Sequence, residues 1–181
     1  GNQINAIASS SSYQAIYAFY CDNSLRILKN KINITNGGYA LYIHNSSGAS
    51  TEKGLIANNF ISLGGNAESY GIYINLSSAQ HIYYNSINLY SNNSNSKILN
   101  INGVTTANID IRNNNFFSSG DAYAIYVSDN TINPVSACDY NNLFTNGNFI
   151  AFWKSIGNIA DLNAWQTASG FDGNSVSTDP L

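Results

Sequence analysis

The chain has 181 residues, of which 44% are hydrophobic and only 9% charged, with a formal net charge of −3. Seven Lys plus Arg against ten Asp plus Glu leave no basic stripe for a phosphate backbone, which argues against a nucleic-acid partner, and no apolar run approaches the length of a bilayer span. Abundant Ile, Tyr and Phe exclude a disordered chain, and together with turn-forming Asn, Ser and Gly they predict an all-β fold.

Taken in chain order, the first motif is Asn2-Gln3-Ile4. It returns as Asn30-Lys31-Ile32, Asn58-Asn59-Phe60, Asn85-Ser86-Ile87, Asn114-Asn115-Phe116 and Asn141-Asn142-Leu143, at intervals of 27 to 29 residues. Three positions before each later Asn stands Ile27, Leu55, Ile82, Ile111 or Cys138. A third register opens weakly at Ile16-Tyr17-Ala18. It continues through Leu41-Tyr42-Ile43, Ile72-Tyr73-Ile74, Leu99-Asn100-Ile101, Ile125-Tyr126-Val127 and Ile150-Ala151-Phe152.

Each unit therefore holds three short alternating segments with turn residues between them and no helical period. A propeller blade or a leucine-rich repeat would need a different period or a Leu signature. The pattern predicts a parallel β-solenoid of about six coils over residues 1–157, with equivalent positions aligned in columns. Asn30, Asn58, Asn85, Asn114 and Asn141 are expected to form a structural ladder, because Asn tolerates left-handed backbone and its amide can bond to the Asn above and below.

Residues 158–181 break the pattern. Ala160 to Gly170 reads as a short helix with Asp161 as N-cap, Gly170 as stop, and Leu162, Trp165 and Ala168 on one face. Asp172 to Leu181 reads as one more strand and a turn at Asp179-Pro180. This segment is expected to cover the end of the solenoid, where an open edge invites pairing with other chains. Cys21 and Cys138 fall about four rungs apart, roughly 19 Å at about 4.8 Å per rung, too far for a disulfide. Two free thiols are expected, with Cys138 in the core.

The Asn-x-Ile/Phe/Leu coils and their period resemble the right-handed parallel β-helix (pectate-lyase-like) superfamily, whose members include pectate lyases, phage tailspikes and many bacterial surface proteins. The Ala-Trp-Gln-x-Ala-x-Gly…Asp-Pro-Leu ending is similar to tails of secreted bacterial proteins, Bacteroidetes among them. The resemblance implies a right-handed coil and an extracellular or cell-surface setting. The mid-pattern start and the lack of Met fit a piece of a longer polypeptide, whose signal peptide would lie outside this chain.

Alternation in the third register puts Tyr42, Tyr73, Asn100 and Tyr126 outward, with His44, Asn75, Asn102 and Trp153 in the next outward column. Aromatic surfaces beside amides suit the C–H faces and hydroxyls of a glycan. In pectate lyases, as the resemblance implies, the equivalent face carries acidic calcium ligands with Arg or Lys, and these two columns have none. No pair of carboxylates converges for glycoside hydrolysis, and no metal or other cofactor is expected. A second polar patch gathers His81, Tyr83, Asp110, Arg112 and Asp139, with His81 near Asp110 and Arg112 near Asp139. A His–Asp pair could act as a general base, but cross-strand ion pairs also decorate sheets without function.

The expectation is a non-catalytic carbohydrate-binding or adhesive β-helix module, part of a larger secreted or surface protein, whose partner is a polysaccharide or cell-surface glycan. The alternatives are a polysaccharide lyase or hydrolase fragment and a purely structural spacer.

Overall fold

The computed structural model describes residues 1–8, 10–49, 51–128 and 133–180, so Leu181 of the expected final turn lies outside the described residues. The chain is an all-β solenoid of about five turns. Its three faces are three sheets in which each strand pairs in parallel with the strand one coil later. The first sheet contains Gln3–Ile7, Lys31–Thr35, Phe60–Gly65, Ser86–Ser91, Asn115–Ser118 and Asn142–Thr145. The second contains Gln14–Phe19, Gly38–His44, Ser69–Asn75, Lys97–Asn102, Tyr123–Val127 and Ala151–Trp153, closed by antiparallel Gly157–Ile159. The third contains Arg26–Leu28, Gly54–Ala57, Gln80–Tyr83, Ile109–Arg112 and Val135–Asp139.

Stacking the coils aligns the inward residues in columns. Ile32, Ile61, Ile87, Phe116 and Leu143 form one, and Ile27, Ile56, Ile82, Ile111 and Cys138 another. The second sheet supplies two more, led by Leu41 with Ile72 and by Ile43 with Ile74. All four of these are fully buried. Each such side chain contributes about 1.5–3 kcal/mol through burial, so a 28-residue unit that could not bury its own face gains a continuous core from its neighbours.

In the third coil the register differs from the expectation by one residue. Asn59, not Asn58, occupies the ladder, because Lys31 pairs with Phe60 and Ile32 with Ile61. Ile61 and Ile56 therefore point inward, while Phe60 and Leu55 take outward places. The ladder runs Asn2, Asn30, Asn59, Asn85, Asn114, Asn141 through successive Nδ2–Oδ1 bonds of 2.8–3.1 Å. Each Oδ1 from Asn30 onward also accepts the backbone N–H of the Asn one coil earlier.

The physical role of the ladder differs too. Left-handed backbone falls on the residue before each ladder Asn from Asn30 onward, at Lys29, Asn58, Tyr84, Asn113 and Tyr140. The Asn itself serves as the hydrogen-bond partner of polar groups buried at that corner. A second corner carries a hydroxyl ladder. Cys21 N–H donates to Ser46 Oγ, Ser46 N–H to Ser77 Oγ, and Ser77 N–H to Thr106 Oγ1.

The helix spans Leu162–Ser169, capped by Asp161, which accepts from Ala164 N–H at 2.8 Å, and stopped by left-handed Gly170. Trp165 is fully buried against Trp153, with ring centroids 5.3 Å apart. Its Nε1–H donates to Asp172 Oδ2, and Asp172 Oδ1 accepts from Asn141 Nδ2, so a buried Asp ends the ladder. No strand forms over the described residues after Asp172. A single bridge from Val176 to Asn142 continues the first sheet instead.

Both cysteines are free, Cys21 exposed and Cys138 buried, in agreement with their predicted separation. Burial pushes the Cys138 thiol well up from its ordinary value, and the Asp172 carboxylate adds to the effect. A thiol reagent at neutral pH is expected to label Cys21 alone, Cys138 reacting only on unfolding. Equal rates for both in the native protein would contradict the buried column.

Candidate functional site

The second sheet presents three outward columns. One runs Tyr17, Tyr42, Tyr73, Asn100, Tyr126, Phe152. The next runs Phe19, His44, Asn75, Asn102. Ser128 follows Asn102, with its Oγ donating to Asn102 Oδ1 at 2.8 Å, and Lys154 follows in turn, its N–H bonded to Val127 O. The third column was not anticipated and runs Gln14, Tyr39, Tyr70, Lys97, Tyr123. It exists because two consecutive residues in each strand point inward. Ala40-Leu41, Gly71-Ile72, Ile98-Leu99 and Ala124-Ile125 are all buried, so the pleat slips and Tyr39 and Tyr42 emerge on the same side. The signal was the small residue at the first of these positions in three strands out of four.

The predicted site residues divide under this geometry. Tyr42, Tyr73 and Tyr126 lie half-buried in one column, with His44, Asn75 and Asn102 beside them. Asn100 sits in its predicted column between Tyr73 and Tyr126 but is only 3% exposed, so the face does not offer its amide. Trp153 is not outward. It pairs with inward Val127 and packs on Trp165, and Phe152 takes the outward place beside Tyr126. The last coil reads Ile150-Ala151-Phe152-Trp153, an unbroken apolar run, and the wide Trp153 goes inside because the terminal helix brings Trp165 against it.

The rings fall into two groups, with Tyr17, Phe19, Tyr39, Tyr42, Tyr70 and Tyr73 in one, Tyr123, Tyr126 and Phe152 in the other, and Lys97 and buried Asn100 between them. Tyr39 and Tyr70 stack nearly parallel at 4.6 Å, Tyr42 meets Tyr73 edge-on at 5.0 Å, and Tyr126 stacks on Phe152 at 4.3 Å. At the first coil Tyr17 and Phe19 stack at 5.5 Å and remain about half exposed. Amides hold the hydroxyls in place. Asn75 Nδ2 donates to Tyr42 Oη at 3.3 Å and Asn102 Nδ2 to Tyr73 Oη at 3.1 Å, while Tyr42 Oη lies 3.0 Å from His44 Nδ1.

Lys97 is embedded among these rings, its Nζ 5.0 Å from the centre of Tyr70 and 4.9 Å from that of Tyr126. It pairs with Glu68 Oε1 at 3.3 Å and donates to Asn95 O. Tyr70 Oη donates to the same Glu68 oxygen at 2.6 Å. Burial pulls the Lys97 ammonium below its ordinary value, partly offset by Glu68.

The second predicted patch lies on the third sheet. His81 and Tyr83 rings stack at 4.8 Å. His81 faces Asp110 in register and Tyr83 faces Arg112, but Asp110 is engaged by Arg112 Nε at 2.7 Å, and no hydrogen bond joins it to His81 among the described residues. Arg112 pairs in register with Asp139, yet that carboxylate accepts from the Asn174 N–H and Nδ2, both at 2.8 Å, and forms no ion pair with Arg112. Burial lowers the His81 imidazole, with Asp110 opposing. His81 also borders an open cleft of about 550 Å³ with Ser24, Arg26, Thr51, Glu52, Lys53 and Leu55.

Among the described residues no three His, Cys, Asp or Glu side chains come close enough to share a metal ion, and no helix is long and apolar enough to cross a membrane. No protein-family model, curated protein or solved structure matches the chain.

Proposed function

We propose that this chain is a non-catalytic, extracellular carbohydrate-binding or adhesive module of a larger bacterial surface or secreted protein, a member of the pectate-lyase-like β-helix superfamily of the kind found in Bacteroidetes-type proteins. The observation that carries the reading is the aromatic face of the second sheet, where two columns rich in tyrosine adjoin a column of amides that holds the Tyr42 and Tyr73 hydroxyls. Ring edges and oriented O–H and N–H groups match the alternating apolar and polar surface of a sugar chain. The open rings of Tyr17 and Phe19 add apolar area at one end.

The test is native-gel mobility of the full chain through dissolved plant, algal and bacterial polysaccharides. Retardation by one class is expected. The Tyr42→Ala, Tyr73→Ala, Tyr126→Ala triple variant should lose most of it, since each stacked or hydrogen-bonded ring removed costs on the order of 1 kcal/mol, while circular dichroism verifies the fold. Unchanged retardation by a folded triple variant would move the site elsewhere. No retardation by any polysaccharide would leave a spacer or a protein-binding adhesin.

A second reading, a polysaccharide lyase or hydrolase, draws on the cleft beside His81 and the nearby Tyr83, Asp110 and Arg112. Its weakness is chemical. Asp110 is neutralised by Arg112 instead of orienting His81, and hydrolysis needs two carboxylates across the scissile bond. Chain cleavage that disappears in His81→Ala would favour this reading over binding alone.

A further inference from the structure

The face described above has a charge pattern that selects among glycans, and the inference drawn from it rests on the glycan-binding reading. In the middle of the face, the cation nearest the ring columns is Lys97. Its side chain is 12% exposed, and its charge is matched by Glu68 at 3.3 Å. The ammonium donates inward to Glu68 and Asn95 O and lies against two rings. It has little left to offer an incoming anion. Glu68, at 33%, is the more exposed partner. Beyond Tyr123 stands a second carboxylate, Asp121, which accepts from Asn148 N–H. Lys154 stands at the far end of the amide column, past the last of the tyrosines.

A uronate or sulfate laid across these columns would lose water against ring edges and amides without gaining a free cation, and desolvating an unpaired charge is costly. It would also approach Glu68. A neutral sugar meets neither cost. Its hydroxyls can exchange hydrogen bonds with Tyr42, Tyr73, Asn75 and Asn102, whose polar atoms already form a chain of donors and acceptors along the sheet. The spacing along the coil axis is also suitable. Ring centroids lie 5.2 Å apart between Tyr17 and Tyr42 and 5.0 Å apart between Tyr42 and Tyr73, close to the length of one hexose in an extended chain, and Tyr126 follows two coils after Tyr73, past the buried Asn100.

We propose that the ligand of this face is an uncharged polysaccharide lying parallel to the solenoid axis, one sugar per coil, across Tyr17, Tyr42, Tyr73 and Tyr126. Binding of this kind depends on hydrogen bonds and apolar contact, so it should be insensitive to ionic screening.

The experiment runs the full chain through gels containing neutral xyloglucan, mannan or β-glucan, polyanionic polygalacturonate or alginate, and polycationic chitosan, each at low and high salt. The expected result is retardation by a neutral polysaccharide, with an affinity that changes by less than about twofold with salt. Lys97→Met, which keeps the stem between the rings, should retain it. Salt-sensitive retardation by the polyanion, lost in Lys97→Met, would overturn the inference while leaving glycan binding intact. So would salt-sensitive preference for chitosan, which would assign the recognition to Glu68. Retardation by no polysaccharide would remove the glycan reading itself and this inference with it.

Discussion

Asn59→Ala is expected to lower the unfolding free energy by about 3–5 kcal/mol, while Asn58→Ala, one residue earlier, costs about 1 kcal/mol. Asn59 is 1% exposed. Its Oδ1 accepts both the backbone N–H and the Nδ2 of Asn30, and its own Nδ2 donates to Ile27 O and Asn85 Oδ1. Alanine leaves the two Asn30 donors without a partner in a dry corner and takes a donor from the Ile27 carbonyl. Each buried orphan costs roughly 1–3 kcal/mol. Asn58 is exposed and contributes a left-handed turn residue, with φ of 56°, so Asn58→Gly should be nearly neutral. Urea denaturation of the three variants measures the difference directly. A larger loss at Asn58 than at Asn59 would move the third coil back by one residue and take Ile56 and Ile61 out of the core columns.

That pair of adjacent asparagines also marks where the sequence is readable and where it is not. The repeat spacing alone is enough to predict a stacked β coil, because columns of Ile, Leu and Asn recur at nearly constant intervals and only stacking makes such recurrence useful. Register within a coil is a finer quantity. Asn58-Asn59-Phe60-Ile61 offers two Asn followed by two apolar residues, so alternation fits equally well in either frame, and Ile150 to Trp153 poses the same ambiguity. What resolves both is packing against neighbouring coils and, for Trp153, contact with a helix that begins nine residues later. The left-handed corner was hidden for a different reason. It is occupied by Lys29, Tyr84 and Tyr140 as well as by Asn, so residue type does not announce it. Tyr42, Tyr73 and Tyr126 were legible as a column because strict alternation holds from Leu41, Ile72 and Ile125 onward. Tyr39, Tyr70, Lys97 and Tyr123 were not, because paired inward residues interrupt the period just before it starts.

The same crowding of rings makes the fold sensitive to alkali. Stability is expected to fall steeply as pH rises from 10 toward 12, in one cooperative step. Six of the thirteen tyrosines, Tyr39, Tyr70, Tyr73, Tyr83, Tyr123 and Tyr126, hold their protons more tightly in the folded chain than an exposed phenol does. Burial is the leading cause in each. For Tyr39 it raises the value from 10.0 to about 12, helped by neighbouring Tyr73 and Tyr42. Tyr70 is held higher still by its hydrogen bond to the Glu68 carboxylate. Below pH 10 these phenols are protonated whether the chain is folded or not, and their packing contributes fully. Above it the unfolded chain releases protons that the folded chain retains, so the balance moves toward unfolding until the folded phenols ionise as well. Tyrosinate absorbance followed alongside far-UV circular dichroism measures the effect. The six should ionise only as the β signal is lost. Tyr39→Phe removes one of these protons and should flatten the decline. Smooth titration of all thirteen near pH 10 with the β signal intact would mean that the rings are not packed against one another. The face proposed for glycan binding would then lack the fixed hydroxyls on which that reading depends.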